Sequence, residues 1–255
     1  MSDPNSASGE NKKNTTFRVI RFAFFLSLVC SLLITAAASG LKRFQEENMI
    51  LDKKVNILKA ANILEDKKPP KEEINRLYKT RIREVLVDDS GRILDTVSLE
   101  EDPQGLHVYL YLTGDSIDGY IIPINTRGLW GKIQGYLAFE NDGETVSGFS
   151  VFSHSETPGL GGEIESRWFS DNFKGKKILN SENKFVSVGI AKGEAKNLPP
   201  DLQEHYVDGI SGATLTGKFL SQGIRSTLER YEALSVTFRQ KKMKAIKKKI
   251  SRNGE

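Results

Sequence analysis

LHVYLYLTGDSIDGYIIPI, residues 106–124, sets the fold class. His107, Tyr109 and Tyr111 alternate with Val108, Leu110 and Leu112. β-branched and aromatic residues follow a turn expected at Asp115–Gly119, so the stretch reads as strands. Downstream, Ile133–Phe139 and Thr145–Phe152 flank Asn141-Asp142-Gly143, the turn chemistry of a β-hairpin. A further strand is expected over Phe185–Ile190. Toward the C-terminus, Leu215, Phe219, Ile224, Leu228 and Tyr231 recur at helical spacing, predicting a helix that starts just after Ser211-Gly212-Ala213. Upstream, Lys67-Lys68-Pro69-Pro70 is expected to break a long helix, with a shorter helix over 71–83. Strands in succession with helices at the ends, and no βαβ alternation, give an α+β fold with an antiparallel sheet and flanking helices.

Phe22–Leu41 carries no charge and is rich in Phe, Leu, Val, Ile and Ala. As a helix rising about 1.5 Å per residue it spans roughly 30 Å, the hydrocarbon thickness of a bilayer. Lys12, Lys13, Arg18 and Arg21 precede it, so the positive-inside bias puts the N-terminus in the cytoplasm and the main domain in the periplasm. Ala36-Ala37-Ala38 would also suit a signal peptidase. The apolar run is longer than a usual signal core, and amphipathic helical sequence (Leu41, Phe44, Ile50, Leu51, Val55, Leu58) follows it directly, which favours an uncleaved anchor. The expected layout is a cytoplasmic N-terminus (1–21), a membrane helix (22–41), a helical stalk and linker (42–70), a globular domain (71–235) and a Lys-rich tail (236–255).

The chain has 255 residues and a formal net charge of +4, but the excess is local: residues 239–252 hold eight Lys or Arg and no acid. Without them the chain is slightly acidic, which argues against nucleic-acid binding. The single cysteine, Cys30, excludes an internal disulfide and any multi-cysteine metal site. No GxxxxGK[ST] loop is present, and Gly159-Leu160-Gly161-Gly162-Glu163-Ile164 lacks the third glycine of a dinucleotide fingerprint. Gly209-Ile210-Ser211-Gly212-Ala213 fails as a nucleophile elbow at its last position. His107, His154 and His205 show no ligand spacing and read as ordinary surface or core residues. No catalytic or metal-ligating set is expected.

Two segments carry chemistry. Asp208-Gly209-Ile210-Ser211-Gly212-Ala213-Thr214-Leu215-Thr216 is a turn of small residues that delivers a hydroxyl to the first turn of a helix, where free N–H groups suit a phosphate. On local physics alone an ordinary helix capped by Ser211 or Thr214 is the commoner outcome. Glu156-Thr157-Pro158-Gly159-Leu160-Gly161-Gly162-Glu163-Ile164, with Trp168-Phe169 beyond it, is a tight loop whose backbone can approach a flat ligand. By spacing alone a surface turn is again commoner.

Taken together, the two segments resemble a known family. Asp-Gly-Ile-Ser-Gly-Ala-Thr looks like the motif at which a flavin transferase moves FMN from FAD onto the final threonine, and Glu-Thr-Pro-Gly-Leu-Gly resembles the companion loop of the same FMN-binding domain. With one membrane span ahead of them, and with Gly128-Leu129-Trp130-Gly131 and Gly135-Tyr136-Leu137, the chain is similar to the C subunit of the sodium-translocating NADH:quinone reductases. The resemblance implies a covalent FMN on Thr214, with Asp208, Ser211, Gly212 and Ala213 as the transferase's recognition elements. Glu156, Thr157, Leu160 and Gly161 would lie near the flavin, Lys192 would approach it, and Thr216 would help bind phosphate. It further implies an electron-relay subunit of a bacterial inner-membrane complex, with other subunits and a flavin transferase as partners. NADH oxidation and sodium export would belong to those other subunits. Three alternatives stand beside it: the G subunit of an Rnf ferredoxin complex, a free-standing exported flavin domain, and a cofactor-free anchored scaffold.

Overall fold

A computed structural model describes residues 7–64, 69–94 and 105–240. The chain divides into two units, 1–50 and 51–255. The first consists, among its described residues, of the greater part of helix α1 (Ala7–Ala60). Its residues from Thr16 onward include a stretch long and apolar enough to cross a membrane, with every apolar side chain from Phe17 to Ile34 largely exposed. A run of this kind has no core of its own to bury against, and lipid is the medium that suits it.

The last turns of α1 belong to the second unit, where Val55, Ile57, Leu58, Ala60 and Ala61 are buried. The helix stops at Ala60, earlier than the expected break at Lys67-Lys68-Pro69-Pro70, of which Lys67 and Lys68 lie outside the described residues. Asn62 takes the left-handed conformation (φ 55°). Its N–H bonds Lys59 O, and the Ile63 N–H bonds Leu58 O, each at 2.9 Å. This double closure is the Schellman ending, here with Asn where Gly is usual.

Helix α2 (Lys71–Arg81) ends two residues before the expected Arg83, because Ile82–Val87 forms strand β1. That strand and the short β2 (Ile93–Leu94) have no counterpart among the strands expected from sequence. β3 (Leu106–Thr113), β4 (Ser116–Arg127), β5 (Lys132–Glu140) and β6 (Val146–Ser153) complete a six-stranded antiparallel sheet of order β2-β1-β3-β4-β5-β6. The β3–β4 turn lies at Gly114-Asp115, since Thr113 pairs with Ser116. Gly119, expected in the turn, is instead inside β4, where a Cβ would stand 2.0 Å from Phe139 O. The hairpin expected at Asn141-Asp142-Gly143 joins β5 to β6.

Both faces of the sheet are covered. Among the described residues, three helices besides the one-turn α4 (Pro200–Gln203) follow the sheet: α3 (Arg167–Asp171), α5 (Thr214–Arg230) and α6 (Glu232–Arg239). Val108, Leu110, Tyr120, Ile122, Leu137, Phe139, Phe149 and Val151 share a core with these three. Tyr109, Tyr111, Ile121, Tyr136 and Ala138 face the end of α1 and α2. Each fully buried large side chain contributes roughly 1.5–3 kcal/mol. Burial also pushes the Tyr111 hydroxyl up to about 12.

The expected strand over Phe185–Ile190 shrinks to β7 (Gly189–Ile190), paired in parallel with β8 (Tyr206–Val207), plus an isolated bridge between Leu179 and Phe185. Ser187, at φ 71°, breaks the extended run. On α5 the buried positions are Thr216, Gly217, Leu220, Ile224 and Leu228, while Leu215 is 51% exposed. The buried stripe is therefore rotated at its start from the expected one. Gly217 and Gly223 let α5 close onto Ile190 and Thr126, and a Cβ on Gly223 would stand 1.8 Å from the Thr126 hydroxyl.

Candidate functional site

Three loops meet at the N-terminus of α5. The Gly128–Gly131 turn between β4 and β5 is closed by the Gly128 N–H on Gly131 O at 2.6 Å. The loop after β6 folds back on itself, with Thr157 O accepting from both Leu160 N (3.1 Å) and Gly162 N (2.9 Å). Gly159, at φ 73°, makes that turn possible. The third loop, 208–213, leads into α5.

A buried carboxylate ties them together. Glu156 is 5% exposed and accepts from the Trp130 N–H through Oε1 (3.0 Å) and from the Thr216 hydroxyl through Oε2 (2.5 Å). One side chain thus joins its own loop to the β4–β5 turn and to the first turn of α5, with both oxygens satisfied. Glycines make the approach possible: a Cβ on Gly128 would lie 2.4 Å from Glu156 Oε1, and one on Gly161 would lie 2.6 Å from Thr216 Oγ1. The Glu156 N–H in turn donates to His154 Nδ1 (3.1 Å), whose Nε2 lies 3.2 Å from Glu165. That bond makes Nδ1 the acceptor and Nε2 the protonated nitrogen. His154, which reads in sequence as an ordinary residue, thereby holds the loop's main chain.

Thr214 is the first residue of α5 and is exposed. Ala213 stands at the N-cap, 7% exposed, and no side chain caps the helix, so the first-turn N–H groups have no side-chain acceptor. Gly212 turns the chain at φ 75°, and a Cβ there would meet Leu160 Cδ2 at 2.8 Å. Leu160 (43% exposed) and Trp130 (70%) on the loops, and Leu215 (51%) in the first turn of α5, are apolar side chains left open to solvent.

Behind the motif, Asp208 accepts from the Ala195 N–H at 2.6 Å, and Gly209 donates to Gly193 O at 2.8 Å. Burial pulls the pKa of Lys176 down, and the nearby Asp208 carboxylate opposes that shift. Lys192 is exposed and adjoins Gly209 through its main chain. Of the residues expected from sequence, Glu156, Gly161 and Thr216 are in mutual reach, and Gly212 meets Leu160. Thr157 contributes its carbonyl to the loop, and Ser211 is exposed on the turn. Asp208 holds the main chain at Ala195, and Lys192 is exposed beside Gly209.

This constellation sits within residues 128–229, which match the FMN-binding domain model. The chain is 34% identical over 247 residues to the C subunit of the Na(+)-translocating NADH-quinone reductase of Vibrio anguillarum, covering 88% of this chain and 91% of that one. The corresponding Yersinia pestis protein is 33% identical over 250 residues, with 87% and 90% covered. Among solved structures, the C subunit from Parabacteroides distasonis superposes with a TM-score of 0.65 at 30% identity, covering 76% of this chain and 96% of that one. With the anchor helix, the two-faced antiparallel sheet and the loop cluster in place, the chain belongs to the family of C subunits of the Na(+)-translocating NADH-quinone reductases and carries its FMN-binding domain.

Proposed function

We propose that this chain is the covalent flavin carrier of a sodium-translocating NADH:quinone reductase, with FMN held through its phosphate on the Thr214 hydroxyl. The observation that carries the reading is an exposed hydroxyl on the first residue of a helix whose N-terminal amides lack a side-chain cap. A phosphate beside Thr214 would accept from those amides and gain from the helix dipole. The residues fit the rest of the cofactor. Leu160, Leu215 and Trp130 offer exposed apolar surface to an aromatic ring system. Gly212 keeps the approach to Thr214 free of a side chain.

Attachment would follow a balanced transfer catalysed by a partner flavin transferase. The Thr214 oxygen bonds to the FMN phosphorus of FAD as the pyrophosphate bond breaks, AMP departs, and the hydroxyl proton is released. Asp208, Ser211, Gly212 and Ala213 are the elements the transferase would read. Bound flavin supplies reversible electron uptake. The chain's residues determine where it sits. Glu156 acts from below as a bracket, since both its oxygens are taken by Trp130 and Thr216. Thr157 and Lys192 are exposed and free to meet the ring's polar edge.

In this reading the anchor is uncleaved, the N-terminus is cytoplasmic, and the flavin domain is periplasmic in a bacterial inner membrane. NADH oxidation and sodium export reside in other subunits, because a single span without intramembrane charge offers no ion path. Intact-mass analysis of chain isolated from its native membrane, with peptide mapping across Thr214, tests the assignment. One FMN less one water is expected on that peptide, and Thr214→Leu removes it. An unmodified Thr214 in the presence of the transferase overturns the proposal.

A further inference from the structure

Strand β6 is the last strand of the sheet. An antiparallel strand directs half of its N–H and C=O groups away from its partner, so its free side must be covered, blocked or paired. At Val146 it is covered: the N–H donates to Lys176 O and the carbonyl accepts from Gly175 N, each at 2.8 Å. The Ser147 carbonyl accepts from the Asn62 side chain at 2.6 Å. Between Gly148 and Phe152, among the described residues, the main chain makes no hydrogen bond on that outer side.

Phe149–Phe152 of this stretch form the floor of a groove of about 670 Å³. Phe149 and Val151 point to the α5 side of the sheet and Ser150 to the α1 side, yet all three line the same space. The groove therefore straddles the strand's edge. One wall is the end of α1, with Lys59 and Asn62; the other is the short 3-10 helix at Gly161–Glu165 together with α3. The floor is recessed: Phe149, Ser150 and Val151 are 3%, 5% and 6% exposed. At about 3.3 Å per residue, Phe149–Phe152 offers roughly 13 Å of edge, enough for a short strand.

The wall charges are mostly paired with one another, Asp171 with Arg167 and Lys174, and Glu165 with His154. Lys59 and Glu163 have no ion-pair partner among the described residues, and they stand on opposite walls. Successive side chains of a strand point to opposite faces. An occupant matched to both walls thus carries an acidic residue toward Lys59 and, next to it in sequence, a basic one toward Glu163.

We propose that the groove binds an extended peptide segment of another subunit of the reductase, added to β6 as a seventh strand with an adjacent acidic–basic pair. This rests on the chain's assembly with other subunits and is independent of the bond at Thr214. A second copy of this chain fits poorly, because its own edge would arrive flanked by the same two walls. Main-chain hydrogen bonds would supply the affinity and the two wall charges the register.

Amide hydrogen exchange of the full-length chain, purified alone in detergent and within the intact reductase, tests the proposal. Co-purification of the other subunits shows assembly, and the mass at Thr214 reports the flavin separately. Amides within 148–152 are expected to slow by about 100-fold or more on assembly. Equal exchange in the two states overturns the proposal. Protection that rises with concentration of the isolated chain also overturns it, by assigning the groove to a second copy. Lys59→Glu, at an exposed position, is expected to weaken retention of the chain in the complex by about tenfold with flavin loading unchanged. Unchanged retention overturns the assigned register.

Discussion

The sheet and the loop cluster at the head of α5 are built by different forces. In the sheet, position follows from burial: Tyr120, Phe139 and Ile122 are fully enclosed, and Phe139 stacks on Tyr120 with ring centroids 5.1 Å apart. In the loop cluster there is little apolar burial, and position follows from one carboxylate with two donors and from glycines that admit close contacts. The first arrangement tolerates changes of surface and resists changes of volume. The second tolerates almost nothing at a few atoms and is indifferent elsewhere. If Thr214 carries the cofactor as proposed, that division suits it, because the contacts that hold the frame do not pass through its hydroxyl.

The contrast breaks most visibly in the sheet. Phe139→Ala removes a fully buried ring stacked on Tyr120 and is expected to lower stability by about 3–5 kcal/mol. Denaturant unfolding monitored by far-UV circular dichroism measures it. Chains that remain folded should still load flavin, since the site's contacts do not pass through Phe139. Parallel loss of loading among the folded chains would show that the two regions are not separable.

Glu156→Gln probes the loop cluster directly. The amide oxygen can still accept from the Trp130 N–H, but the NH2 must then donate to the Thr216 hydroxyl, so two charge-assisted bonds become neutral ones and Thr216 must turn its proton away. About 1–3 kcal/mol of stability should be lost. Here flavin loading should fall along with it, measured by in-gel flavin fluorescence. Loading at the parent level would mean that the three loops are held by something other than the carboxylate.

Much of this division was legible in the sequence, and unequally. Alternation in Leu106–Ile124 and the Asn-Asp-Gly turn declared β3 to β6, because a strand with a buried face must repeat every second residue. β1 was hidden because Ile82–Val87 follows the α2 helix with no glycine or proline to mark the change. The end of α1 was hidden for a related reason: Asn62, not a glycine, takes the left-handed position. At the site, residue types identified the loops, but not which atom meets which. Nothing in the spacing says that Glu156 turns inward to Thr216, or that His154 secures its main chain. Those contacts join residues 60 positions apart in the case of Glu156 and Thr216.

Gly212→Ala is a smaller change. At φ 75° an alanine carries backbone strain, and its Cβ would press on the Leu160 side chain. A cost of about 1 kcal/mol is expected. Because Leu160 is exposed and can swing away, the strain should appear mainly as slower flavin attachment. A time course of fluorescence with purified transferase and FAD measures that rate. An unchanged rate would remove Gly212 from the surface the transferase reads.

Thr214→Val has the smallest effect on the fold and the most complete effect on the cofactor. The side chain is exposed, caps nothing, and has no hydrogen-bond partner among the described residues, so stability should remain within about 0.5 kcal/mol of the parent. Valine keeps the β-branched shape and lacks only the oxygen. Circular dichroism and unfolding should therefore superpose on the parent while the covalent flavin is absent. A large loss of stability would mean that the hydroxyl supports the helix start, and the loops would then be a structural cap rather than a platform. An unchanged fold without that oxygen would separate the proposed role of Thr214 in holding a cofactor from any role in holding the helix.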